Sequence, residues 1–342
     1  MRSGALFVIP VFIPHEGCPH CCVFCNQRGI SGYTEQQVRG ADVANTVQTW
    51  LDRKGANKRR VQVAFYGGSF TGLPQARQEE LLGSVRHFVE QGRVQSLRLS
   101  TRPDYISQQG LALLRRYQVS TVELGVQSMN DQVLLQAKRG HSSADVEQAV
   151  SLLKQAGMKI GIQLLLGLPG DTRTSLRQTV EQVITLQPDF IRIYPLLVVE
   201  NSELAEQYKQ REYRPLSVDK AVVLAAWMKV RFDNAGVQVV RMGLQAGPEL
   251  ENSLLAGPWH PAFGELVASR LMLRQTRKLL AHLPSEGVVR VYINQRDQSV
   301  FRGMKSSNIK RLQELGLWQR IQLSTNSSLD RGTVRGVFLK LF

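Results

Sequence analysis

Between the N-terminus and about residue 247, short runs rich in Val, Ile, Leu and aromatic residues alternate six times with amphipathic helical patterns. No other feature constrains the fold as much. Strands separated by helices cannot pair as hairpins, so they must run parallel, with the helices as crossovers. The strands read as Leu6–Ile13, Val61–Tyr66, Ser96–Thr101, Ser120–Val126, Lys159–Leu166 and Phe190–Leu197. Pro74 opens a helix through Gln91, ahead of Gly92. Ser142 with Asp145 forms a capping-box pair for a helix to Ala156, and Gly157 suits its end. Thr172 or Thr174 caps the next helix, which stops before Pro188, and another covers about Val218–Asn234. An open doubly wound sheet and a barrel both fit this alternation. A Rossmann fingerprint is missing, and Gly67-Gly68-Ser69-Phe70-Thr71-Gly72 lacks the lysine of a phosphate loop. Six units favour an α/β fold of the partial (β/α)6 TIM-like barrel type.

After Gly247 the pattern changes. Ala256 to Gly264 is a loop-like break, followed by a helix from Glu265 to about Ala281. Val288–Ile293 and Ser299–Phe301 read as strands paired across Gln295-Arg296-Asp297. A helix near Ser307–Leu315 and a strand at Val334–Leu341 complete the chain. The expected division is a core barrel, 1–247, and a small α+β C-terminal appendage, 248–342.

Hydrophobic residues make up 43% and charged residues 21% of the 342, a composition that excludes disorder. No apolar run approaches the ~20 residues of a membrane helix. Pro10 and Pro14 break the N-terminal apolar run, so it reads as a strand rather than a signal peptide, and the cytoplasm is the expected location. The net charge is +15, and it is uneven: Pro258–Phe342 carries 14 Lys/Arg against 5 Asp/Glu, or +9, leaving +6 for the rest. A basic C-terminal quarter points to a polyanionic partner, nucleic acid first, against the simpler reading of a solvated surface. Lys54, Lys58, Arg59 and Arg60 form a second basic cluster.

The four cysteines, Cys18, Cys21, Cys22 and Cys25, fall within eight residues. Neighbouring cysteines pair poorly in disulfides, so the cluster reads as metal chemistry. Cys18, Cys22 and Cys25 have C-x3-C-x2-C spacing. Three thiolates on one loop suit three irons of a [4Fe–4S] cube and leave the fourth iron open to a substrate or cofactor. The overlapping pairs Cys18/Cys21 and Cys22/Cys25 keep four-cysteine zinc as a rival, although no spacer lets one pair turn back on the other. Cys21 reads as a spare thiol. His15 and His20 flank the cluster, either as loop residues or as second-layer or substrate-facing groups. His260 lies in the later break, where it suits at most a lid over the site.

This set resembles the radical S-adenosylmethionine (SAM) superfamily, whose signature is C-x3-C-x2-C on the first βα loop. More of the chain, about residues 5–245, is similar to the catalytic subunit of Elongator, the tRNA wobble-uridine modifying enzyme. Matching stretches are Tyr66-Gly67-Gly68-Ser69-Phe70, Thr101-Arg102-Pro103-Asp104-Tyr105, Glu123 to Ser128, Arg139-Gly140-His141 and Ile193 to Val199. The residues after the barrel do not look like Elongator's acetyltransferase-like domain; the chain resembles the short bacterial members of the group.

The resemblance implies a [4Fe–4S] cluster on Cys18, Cys22 and Cys25, and SAM beside Phe24, Gly67, Gly68, Ser69, Ser100, Gln127, Arg139 and Gln163. Ser100 and Gln163 stand where relatives often have a carboxylate. The glycine pair is expected to let backbone approach SAM, which a Cβ would obstruct. The implied activity is reductive cleavage of SAM to a 5′-deoxyadenosyl radical that abstracts a hydrogen atom, fed by a one-electron donor such as flavodoxin or ferredoxin, with tRNA as substrate. No catalytic side chain is assigned. A radical SAM enzyme on a small molecule, and a non-catalytic iron–sulfur RNA-binding or sensing protein, stand as alternatives.

Alternation along the strands puts Glu123, Gly125 and Gln127 on one face, with Gly161, Gln163 and Leu165, and Val122, Leu124 and Val126 on the other, as a barrel lumen requires. Simpler readings run beside these. Glu123 can be a buried ion pair, with Arg102 as the candidate partner; Arg139 a helix-end surface charge; Gln127 a satisfied core amide; His141 a turn residue; Tyr194 packing.

Overall fold

The computed structural model describes residues 6–13, 16–18, 22–26, 37–53, 60–284 and 286–339. Its strands are β1 (Leu6–Phe12), β2 (Arg60–Tyr66), β3 (Ser96–Thr101), β4 (Val119–Gln127), β5 (Lys159–Leu166), β6 (Phe190–Pro195), β7 (Val198–Val199), β8 (Gln238–Met242), β9 (Leu254–Ala256), β10 (Val288–Ile293), β11 (Ile321–Thr325) and β12 (Val334–Leu339). Seven form one sheet in the order β1-β2-β3-β4-β5-β6-β8, parallel throughout. The order never reverses, so the sheet is singly wound. Right-handed crossovers then put successive helices on one face and leave the other face as a lumen. The end strands β1 and β8 do not pair with each other, which makes a partial barrel. Six of these strands are those expected; Gln238–Met242 is a seventh that the sequence reading passed over.

The helices between the strands are fixed locally as their sequences suggest. Ser142 accepts from the Asp145 amide while the Asp145 carboxylate accepts from the Ser142 amide, the reciprocal cap of Ser143–Gln155. Thr172, not Thr174, caps Arg173–Thr185. Val122, Leu124 and Val126, all fully buried, share one core with Val146, Val150, Val180 and Phe232 from the flanking helices.

A second, smaller core lies in the appendage. There β10 is central, parallel to β11 and antiparallel to β12, and Met272, Leu280, Val289, Val291, Ile293 and Phe301 pack together. Ser299–Phe301 is not a strand. Gln298–Arg302 is a short helix that turns Phe301 into this core, and Gly303 at φ +74° ends it. The strand that does pair with β10 on that side is β11. The helix Phe263–Ala281 has its first half, Phe263 and Val267, in the barrel core and its second half, Met272 and Leu280, in the appendage core.

Candidate functional site

β1 ends beside β2, where the Ile13 amide donates to the Tyr66 carbonyl at 2.7 Å. The chain then crosses the turn that follows β2, and the crossing is backbone on backbone. The Ser69 amide donates to the Glu16 carbonyl at 3.1 Å. A Cβ on Gly68 would stand 2.3 Å from that same carbonyl oxygen, and one on Gly17 2.2 Å from the Ser69 oxygen. A Cβ on Gly72 would meet the Gly17 oxygen at 2.1 Å. Gly67 takes φ +101°, which disfavours a side chain on its own account. What crowds the Gly-Gly pair is therefore the protein's own cysteine loop, and these glycines seat Cys18 against the turn. Arg77 reinforces the crossing, with Nε and Nη2 at 2.9 and 3.0 Å from the Glu16 carboxylate.

Cys22 is buried, Cys18 and Cys25 are half-buried, and none of the three is in a disulfide. The Cys25 amide donates to the Cys22 carbonyl at 2.9 Å, closing a tight turn. The far side of the loop is pinned by Val23, whose amide donates to Ala137 and whose carbonyl accepts from Leu204, and by Asn26, whose side-chain amide donates to the Glu200 carbonyl. Phe24 is half-buried against an apolar cluster with Val133, Leu168 and Leu196. Cys21, His15, His20, Lys54, Lys58 and Arg59 lie outside the described residues. Among the described residues no group of three or more His, Cys, Asp and Glu is arranged on a single metal ion. A cube places its demand differently, one thiolate at each of three iron corners.

Two guanidiniums attend the thiols. Arg139 is 6% exposed, so it is no surface charge. Its Nη1 lies 3.1 Å from the Cys22 sulfur, its Nη2 donates to the Gly125 carbonyl at 2.7 Å, and its carbon sits 5.9 Å from the Phe24 ring centre. Arg102 holds Asp104 with Nε and Nη2 at 3.0 and 2.9 Å. Its Nη1 is buried without a hydrogen-bond partner. Burial works against the Arg102 charge, but Asp104, Cys18 and Cys22 outweigh it and raise its pKa. Buried Arg139 Nε and Gln127 Oε1 also lack partners. Gln127 sits at φ +71°, where β4 slips register against β5, so it is not a satisfied core amide. Three thiols with unspent buried donors and an acceptor beside them suit an anionic cluster and a polar ligand.

The lumen floor is organised by Glu123, which is fully buried. It does pair, but not with Arg102. Arg98 Nη1 lies at 2.9 Å, and Arg192 Nε and Nη2 lie at 2.8 and 2.9 Å. Tyr66 and Gln163 donate at 3.3 and 3.0 Å. One carboxylate thus ties β2, β3, β5 and β6 together, and two guanidiniums against it leave the floor net positive. Burial, with Glu123 next, raises the Tyr66 pKa. Gln163 also reaches Ser100 Oγ at 3.4 Å, so both expected SAM contacts are engaged in this lattice. Ser69 is spent on structure as well, its hydroxyl 2.9 Å from Thr101 Oγ1 and 3.3 Å from the Arg102 amide. Tyr194 stands 3.5 Å from Arg192 Nη1. His260 accepts from the Ala262 amide at 3.0 Å, a turn contact. Sequence reasoning missed Arg98, Arg102 as a thiol neighbour, and Arg192. The signal available was an arginine within each of two strands, Arg98 in β3 next to β4 and Arg192 in β6 one strand further on, both flanked by apolar residues.

Residues 188–273 match the family model described as Radical_SAM C-terminal domain, and residues 12–183 match that of the radical SAM superfamily. The tRNA uridine(34) acetyltransferase of Methanocaldococcus infernus is 27% identical over 260 residues, covering 65% of this chain and 49% of that one. Elongator complex protein 3 of Mus musculus is 25% identical over 271 residues, covering 66% and 49%. The chain thus spans about half the length of these curated relatives. The solved archaeal Elp3 of Methanocaldococcus infernus superposes with a TM-score of 0.61 at 21% identity, over 80% of this chain and 64% of that one, and so shares the fold. The superfamily model takes in the cysteine loop, the glycine turn, Glu123 and Arg139 within half of the chain's length, and by that match the chain belongs to the radical SAM superfamily.

Proposed function

We propose that this protein is a radical SAM enzyme that modifies RNA, with the wobble uridine of tRNA as the target. Residues 1–247 are the catalytic barrel in this reading, and 248–342 an appendage that assists substrate binding. The observation that carries it is the three-cysteine loop with the two buried guanidiniums of Arg102 and Arg139 beside it. The tRNA part draws support from the names of the curated relatives and from the +9 charge of Pro258–Phe342.

Cys18, Cys22 and Cys25 would hold a [4Fe–4S] cluster. With SAM bound, that cluster supplies one-electron cleavage of the sulfonium to methionine and a 5′-deoxyadenosyl radical, given an outside electron donor of the flavodoxin or ferredoxin kind. The chain's own residues prepare the place. Arg139 and Arg102 would offset negative charge at the sulfurs, and because both guanidiniums and Cys22 are buried, those contacts are stronger than at the surface. Gln127 Oε1 and Arg139 Nε offer an acceptor and a donor to a ligand with an amino and a carboxylate group. Phe24, held by its apolar cluster, offers a flat face to an adenine. The Glu123 lattice keeps β2, β3, β5 and β6 in register beneath.

The test is anaerobic reconstitution of the full chain with iron and sulfide, followed by SAM, dithionite and total tRNA. Wild type should bind about four irons, release 5′-deoxyadenosine and change the mass of a tRNA nucleoside. Cys22→Ala should lose most of the iron and all of the cleavage. Cleavage with no tRNA change would move the reading to a small-molecule substrate. A full cluster that never cleaves SAM would move it to a sensing or binding protein.

A further inference from the structure

We propose that the cleft between the C-terminal half of the helix Phe263–Ala281 and the Trp318–Arg320 turn binds the phosphate backbone of the RNA substrate, through Arg274, Arg277, Lys278 and Arg320. This rests on the RNA reading above and gives it a site in the appendage.

The cleft has a volume of about 530 Å³ and is lined by those four cations with apolar residues, and by no carboxylate. Arg274 and Arg277 lie three residues apart and Lys278 four after Arg274, so the three share one helix face. All three are exposed, and none has an ion-pair or side-chain hydrogen-bond partner among the described residues. Arg320 faces them from a separate turn. Its Nη2 donates to the Pro284 carbonyl, while its Nε is buried without a partner.

Some surface cations of this chain are paired: Arg86, Lys229, Arg231 and Arg311 each hold a carboxylate at 2.7 or 2.8 Å. Others, such as Arg173, Arg177, Arg214 and Lys220, are exposed and hold none among the described residues. What marks the cleft is that four cations without a carboxylate line one hollow. Solubility alone needs dispersed charge, not four like charges gathered round a hollow, where they repel one another. Placement in the last turn of the helix offsets part of that repulsion for Lys278, but not for Arg320 on its own turn. A repeating anion removes the rest. A row of phosphates answers spaced cations, and Leu280, Leu283 and Leu317 supply apolar surface for sugar and base faces. The concave shape favours a strand over a flat lipid surface.

The experiment uses the full chain, wild type against the triple variant Arg274→Ala/Arg277→Ala/Lys278→Ala and against Arg320→Gln. Total tRNA binding is measured across about 50 to 200 mM salt, the range in which phosphate contacts are most visible. The triple variant should bind at least about ten-fold more weakly, and its slope of log affinity against log salt should fall by about 2 to 3, near 0.7–0.9 per lost phosphate contact. Arg320→Gln should lose about one contact. SAM cleavage without RNA and the thermal midpoint should match wild type in both. A triple variant with wild-type affinity and slope overturns the cleft assignment and leaves the RNA reading intact. Wild type that binds no tRNA overturns both. In that case, binding to phosphatidylserine vesicles that the triple variant loses would reassign the cleft to membranes.

Discussion

His141 shows how the neighbours of the cysteine loop set the state of a single side chain. It is 7% exposed, with Nε2 at 3.3 Å from the Val126 carbonyl and Nδ1 without a partner. Burial first, then the positive charges of Arg139 and Arg102, pushes its pKa down to about 4. The unfolded chain, with the ordinary value near 6.5, takes up a proton that the folded chain refuses. Stability is therefore full above about pH 6.5 and falls as pH drops toward 4, by about 2 kcal/mol at pH 5. Urea unfolding at pH 7.5 and 5 checks this: wild type should lose more than His141→Gln by about that amount. Equal losses would mean that His141 is charged in the fold. His141 was expected as a turn residue; it lies instead in the coil after the Ala137–Lys138 turn, buried, with its ring on the Val126 carbonyl. Its suppressed charge was not legible, because Arg102 reaches it from another strand end.

At the scale of elements, the crossing between the cysteine loop and the Gly67–Gly72 turn decides most. Glycines are cheap to read and hard to interpret: the sequence marks the turn, yet only packing reveals that Gly17, Gly68 and Gly72 each abut a carbonyl of the opposing segment. Gly68→Ala should push Glu16 back by a good fraction of an ångström and carry Cys18 with it. An overpacking cost of about 1–3 kcal/mol follows, together with reduced iron uptake on reconstitution. Unchanged iron content and an unchanged denaturation midpoint would mean the crossing relaxes freely. Strands whose residues are buried on both faces were easy to place, and five of the six expected strands sit within a residue or so of their expected bounds. Ser299–Phe301 misled because Val300 and Phe301 have strand propensity, while the capping turn at Asn294–Asp297 and the positive φ of Gly303 enclose a single helical turn. β8 was missed because Gln238–Met242 is short and half-exposed, an edge strand with a weak apolar signal.

At the scale of the molecule, the barrel and the appendage share the helix Phe263–Ala281, about 28 Å long for its 19 residues. With one end in each core, the two halves should unfold together. Val267→Ala in the barrel core and Met272→Ala in the appendage core should each cost about 2–4 kcal/mol and move one common transition. Two separated transitions, each moved by one variant only, would show that the cores are independent. Composition and alternation in the sequence already determined an α/β partial barrel, because helical and strand periods are local properties of a chain. The contiguous cysteines were equally plain, since their spacing is covalent. Which arginines meet Glu123, why the glycines stand where they do, and that Arg320 joins three helix cations round one cleft lined by no carboxylate were decided by tertiary structure alone. Each depends on strand register and on surfaces brought together from positions far apart in sequence, and no local pattern encodes that distance.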